Sequence, residues 1–142
     1  MSIDKTVRKL ALSVGIPAVA WIGVLTGYNF YAHHNTSYET DNKKVVQKAD
    51  GIMAHTELEI DTENGSVEIT RHHALNFRSY TDSNGDGNVD RVYRRLGNPF
   101  ARGSHSRSFE RDKHMEQYPT VFQEADRDFR QQMQRFKPYI NR

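Results

Sequence analysis

The chain has no cysteine, one tryptophan and four prolines in 142 residues. Without cysteine there are no disulfides, no thiolate nucleophile and no Cys-ligated zinc or iron–sulfur centre. A field of one charge sign is also missing. Formal net charge is +2 with 27% charged residues, too balanced to argue for nucleic acid as a partner. Several catalytic signatures are absent as well: the nucleophile elbow G-x-S-x-G, the phosphate-binding P-loop, the dinucleotide fingerprint and H-E-x-x-H. The length is that of one modest domain.

What is present begins with a charge-free run, Leu10–Ala32, 23 residues long. As a helix it would measure about 35 Å against a hydrocarbon core of about 30 Å. Lys5, Arg8 and Lys9 precede it, and Glu39 and Asp41 are the first charges after it. The expectation is a signal anchor over 10–32 in the bilayer, with residues 1–9 cytoplasmic and the C-terminal part periplasmic or extracellular. Its rival is a signal peptide cut after Ala18-Val19-Ala20. Gly23 and Gly27 form G-x-x-x-G, a packing pattern for paired membrane helices. Residues 33–51 are polar and read as a linker, with a short helical turn at Val45, Val46 and Ala49.

Two alternating runs follow, 56–62 and 66–71, joined through Asn64-Gly65. Alternation marks strands, and Asn-Gly favours a two-residue hairpin turn. That turn predicts Thr62 facing Val67, Ile60 facing Ile69 and Leu58 facing Arg71. It puts Leu58, Ile60, Val67 and Ile69 on one face. Leu75, Phe77, Tyr80 and then Val89, Val92, Tyr93, Leu96 suggest a second hairpin.

Between those two strands lies Asp82-Ser83-Asn84-Gly85-Asp86-Gly87-Asn88-Val89-Asp90. Oxygen-bearing side chains recur at every second position, and Gly87 supplies a sharp bend. A hard divalent cation takes about 6–8 oxygens at about 2.3–2.6 Å. An empty polar turn uses the same residue types. The run resembles the first half of an EF-hand loop, although Tyr93 stands where that family has its twelfth-position Glu. In full, D-x-N-x-D-G-x-x-D is similar to the calcium loops of FG-GAP (integrin-type) repeats. The resemblance covers this loop and implies a Ca²⁺ site with side-chain ligands Asp82, Asn84, Asp86 and Asp90 and the carbonyl of Asn88.

Pro119 opens a helix whose residues Phe122, Ala125, Phe129, Met133, Phe136 and Ile140 form one apolar stripe. The stripe either packs on the sheet or docks a partner. Seven histidines include the pairs His33-His34 and His72-His73; neighbours on a strand point opposite ways, which argues against a transition metal at His72-His73, and His33-His34 falls at the expected membrane exit, where an amphipathic imidazole is ordinary. Arg94-Arg95 with Arg102, Arg107 and Arg111 is a basic stretch that could meet phosphate, but acidic residues follow closely and it reads as solvated surface.

The expected architecture over 52–142 is α+β, an antiparallel meander of about four strands with the calcium loop in its second hairpin and the helix on one face. The expected role is a binding or assembly component, not an enzyme, with a protein partner at the helix stripe or the Gly23/Gly27 face and no nucleic acid. The alternative is a small secreted hydrolase or accessory factor, released by signal-peptide cleavage and without a recognisable catalytic motif.

Overall fold

The computed structural model describes residues 20–25, 27–28, 36–51, 53–74, 76–97 and 104–140. Seven strands form one antiparallel meander: β1 (Thr36–Thr40), β2 (Lys43–Gly51), β3 (Ala54–Asp61), β4 (Val67–His73), β5 (Asn76–Asp82), β6 (Arg91–Gly97) and β7 (Ser104–Glu110). Their spatial order is their sequence order. A four-residue helix, Arg111–His114, and a 22-residue C-terminal helix, Pro119–Ile140, complete the fold.

The expected four-strand meander is therefore corrected to seven strands. Residues 36–51, read as a polar linker, supply β1 and β2, and residues 104–110 supply β7. These segments carry few apolar residues. Their strand conformation comes from pairing with a neighbour whose amides and carbonyls they satisfy. Val46 meets Leu58 across the β2–β3 ladder, and both are buried.

The β3–β4 hairpin forms, with Ile60 opposite Val67 and Leu58 opposite Ile69. The predicted register is off by two because the turn is longer than Asn-Gly alone. Asp61 Oδ1 accepts the amides of Glu63 and Asn64 at 2.9 and 3.2 Å, and Gly65 takes φ +76°. A shift of two preserves the face of every side chain.

The C-terminal helix lies across the strands on one face of the sheet. Phe122, Ala125, Phe129, Gln132 and Phe136 are its buried residues. They pack with Val46, Leu58, Val67, Ile69, Tyr80, Val92 and Phe109 from the sheet. The apolar stripe thus covers the protein's own sheet.

No helix among the described residues is long and apolar enough to cross a membrane. That finding corrects the transmembrane anchor over 10–32 and, with it, the single-pass placement of the chain. Residues 20–25 and 27–28 are helical, and the side chains of Trp21, Val24 and Tyr28 are exposed. Residues 10–19, 26 and 29–32 of that segment, and the Ala18-Val19 part of the cleavage pattern, lie outside the described residues.

Phe129 is 2% exposed at the centre of the helix–sheet contact. Phe129→Ala is expected to lower unfolding free energy by about 3–5 kcal/mol, read from urea denaturation of the full chain. A loss near zero would show that this face is not the core.

Candidate functional site

The loop joining β5 to β6 holds all five residues of the expected calcium site. Asp82 ends β5 and is 1% exposed. Its two carboxylate oxygens accept the backbone amides of Gly85 and Gly87, each at 2.8 Å. Asn84 Oδ1 accepts the amide of Asp86 at 3.0 Å, and Asp86 Oδ1 that of Asn88 at 2.8 Å. Asp90 Oδ2 accepts the amide of Ser83 at 2.8 Å, closing the loop. The Asn88 amide first, then the Asn84 side-chain amide, hold the Asp86 carboxyl below its ordinary value. Gly85 and Gly87 take φ +72° and +86°, where a side chain would be strained. A Cβ on Gly85 would also stand 2.9 Å from the carbonyl oxygen of Gly65, so the two hairpin tips touch.

Among the described residues, no three His, Asp or Glu side chains stand together so that they could hold a metal ion. On that finding the expectation of a calcium-binding group in this chain is corrected. The crowding of carboxylates that invited a cation is relieved by inward-turned amide N–H groups. The loop also ties the sheet to the helix. The Val89 amide donates to Asp126 at 2.9 Å, and Arg111 Nε donates to the Val89 carbonyl at 2.7 Å.

A second assembly lies on the same face of the sheet, beside the helix. The ladders set Arg71 opposite Arg78, Arg78 opposite Arg94, and Arg94 opposite Arg107. Four arginines thus occupy one row across β4, β5, β6 and β7. Strands lie about 4.7–4.9 Å apart, and like charges directly opposite destabilise a sheet. The next row on this face is His73, Asn76, Leu96 and His105.

Two acidic residues of the helix, Glu124 and Asp128, border the row. Arg71 Nη1 donates to Asp128 Oδ2 at 3.0 Å. The Tyr80 hydroxyl donates to the same oxygen at 2.8 Å and accepts from Arg78 Nη1 at 3.2 Å. Burial pushes the Tyr80 phenol above its ordinary value, so it stays a donor. Arg94 is less well served. Its Nη2 stands 3.8 Å from Glu124 Oε2, too far for a hydrogen bond. Arg94 Nε and Nη2 are buried without a hydrogen-bond acceptor among the described residues. A cavity of about 380 Å³ opens at the ends of β4, β5 and β6, lined by Arg71, Arg78, Arg94, His73, Asn76 and Leu96 of this face and by Phe77 and Arg95 of the opposite parity.

The opposite sheet face differs. His55 and His72 stack with centroids 4.3 Å apart, and His72, Phe77 and Tyr93 continue edge-to-face at 5.0 and 5.6 Å. Glu68, Thr81, Arg91 and Glu110 form a row of mixed charge there. His72 and His73 fall on opposite faces, as strand alternation requires.

From the basic stretch seen in the sequence, only Arg94 and Arg107 belong to the arginine row. Arg95 has the opposite strand parity, Arg111 pairs with Asp126, and Arg102 lies outside the described residues. Arg71 and Arg78 went unnoticed because only strand register brings them beside Arg94. No protein-family model, curated protein or solved structure matches the chain.

Asp82→Ala would leave the amides of Gly85 and Gly87 without their acceptor. An unfolding loss of about 2–4 kcal/mol is expected, the same in chelator and in millimolar calcium. A loss that grows in calcium would show that the loop works through a bound ion.

Proposed function

We propose that this protein is a non-catalytic binding component that captures an anionic, phosphate-bearing ligand in the groove beside its C-terminal helix. The observation that carries the reading is Arg94. Its buried Nε and Nη2 lack an acceptor among the described residues, and a buried donor left unpaired costs about 1–3 kcal/mol. A bound anion would remove that cost. Phosphate suits the site because a guanidinium offers a planar fork of donors to two of its oxygens.

The neighbours of Arg94 support this. Arg78 and Arg107 stand directly across the ladder on either side of it. The two bordering carboxylates, Glu124 and Asp128, are fewer than the four arginines of the row, so positive charge remains in surplus. The cavity is concave and lies at the described chain's densest grouping of arginine. The absence of any family match leaves the reading on this geometry alone.

The test is binding of orthophosphate, pyrophosphate and tripolyphosphate to the full chain at low ionic strength, by calorimetry and NMR. Binding is expected to weaken as salt rises, because the groove is open to solvent. Arg94→Gln should lower affinity roughly tenfold or more, the worth of one charge-assisted hydrogen bond. No binding of any of the three anions, or an unchanged affinity in Arg94→Gln, would overturn the reading.

A further inference from the structure

The row is longer than one phosphate. Between the backbones of Arg71 and Arg107 lie three strand gaps, about 14 Å. The oxygens of a single phosphate occupy one tetrahedron and reach the guanidinium groups of adjacent strands at most. Arg71 is already held by Asp128, and Arg78 shares the Tyr80 hydroxyl. Among the described residues Arg94 has only Glu124, at 3.8 Å, and Arg107 has no acidic partner, so the least committed charge lies toward β6 and β7. Glu124 and Asp128 stand four residues apart on the helix, on one side of the row. They repel an anion from that side. On the other side is the row of His73, Asn76, Leu96 and His105, which carries no carboxylate. The space open to an anion is therefore the cavity over Arg78 and Arg94, with the exposed Arg107 beside it on the next strand.

We infer that the groove takes a linear oligophosphate, laid across β5, β6 and β7 so that successive phosphates meet Arg78, Arg94 and Arg107. This rests on the anion-binding reading above and goes beyond it by fixing the shape of the ligand. A phosphate chain carries negative charge on every unit along a line, which is what a row of cations one strand apart requires. A lone phosphate would meet Arg94 and at most one neighbour across the ladder, and leave the rest of the row unused. The chain itself is the recognised element, whether it stands free or forms the tail of a nucleotide.

The experiment is calorimetry of the full chain with orthophosphate, tripolyphosphate and adenosine triphosphate, at matched ionic strength with a chelator present. Tripolyphosphate is expected to bind at least about tenfold tighter than orthophosphate, the worth of one more charge-assisted contact. Adenosine triphosphate should match tripolyphosphate. Arg107→Gln should lower tripolyphosphate affinity about tenfold and orthophosphate affinity by much less. Arg130→Gln, an exposed helix position away from the row, controls for loss of net charge and should change neither. Circular dichroism melts would show that each variant is folded. Equal binding of orthophosphate and tripolyphosphate would overturn the chain inference and leave the anion reading standing. Binding of neither would overturn both. Adenosine triphosphate binding tenfold tighter than tripolyphosphate would overturn recognition of the chain alone. An equal loss for both anions in Arg107→Gln, or the same loss in Arg130→Gln, would overturn the role assigned to the row.

Discussion

The burial of one aromatic stripe governs this fold. Phe122, Phe129 and Phe136 are 0, 2 and 0% exposed, and they lie on the one long helix described. That helix is about 33 Å long and about 10 Å wide. The sheet is about 29 Å across its seven strands, and a seven-residue strand is about 23 Å long. One helix can therefore cross every strand but cover only a band of each. Its contacts trace that path, from Arg94 on β6 to Asp128 beside Arg71 on β4, then Arg135 beside Asp50 on β2. Rows outside the band cannot be apolar without exposing a large greasy surface. They are polar here, and the arginine row lies along the margin of the band.

The loop between β5 and β6 shows how one pattern can serve two chemistries. Alternate Asp and Asn residues with glycine bends invite a cation, since ionised carboxylates held close repel each other. Backbone N–H dipoles turned inward answer the same need. Asp82 takes two of them, Asp86 and Asp90 one each. Asp82 is buried, so its charge must be compensated locally. The amides of Gly85 and Gly87 do this because both glycines adopt positive φ. The rigid loop then presents Val89 to the core and its amide to Asp126. Its role in the fold is to fasten the β5–β6 hairpin to the helix.

Elements whose own side chains carry the pattern were legible in the sequence. The helix stripe from Phe122 to Phe136 and the alternating β3–β4 pair required no partner to be recognised. Even an error in turn length did no harm there, because a slip of two keeps Leu58, Ile60, Val67 and Ile69 on one face. β1, β2 and β7 were not legible. A segment such as Lys43–Gly51 has few apolar residues, and its strand state is imposed by the ladder to β3. The arginine row was the least visible feature. It depends on three successive registers, through the β4–β5, β5–β6 and β6–β7 connections, and a slip of one residue in any of them would turn an arginine to the other face. The loop residues, by contrast, were found in place as one loop. The inward-turned amides were not legible, because side-chain spacing does not show where backbone N–H groups point.

The row also bears on why such an arrangement persists. Four like charges in register on adjacent strands oppose folding. The ion pairs around them do not offset this by much, since Arg71 and Asp128 remain partly exposed at 43% and 20%, and such pairs contribute at most about 1 kcal/mol. Arg94 Nε and Nη2 lack a hydrogen-bonded partner among the described residues. The opposite face shows that the same strands can carry a balanced pattern, with Glu68, Arg91 and Glu110 interspersed. A sequence under pressure for stability alone would have mixed the signs on both faces. Consistency across levels is the mark of a segment shaped by folding, and its local breach is expected where a site is built. Here the breach coincides with a concave groove, unpaired buried donors and a flank closed by carboxylates, which together define a place for an anion.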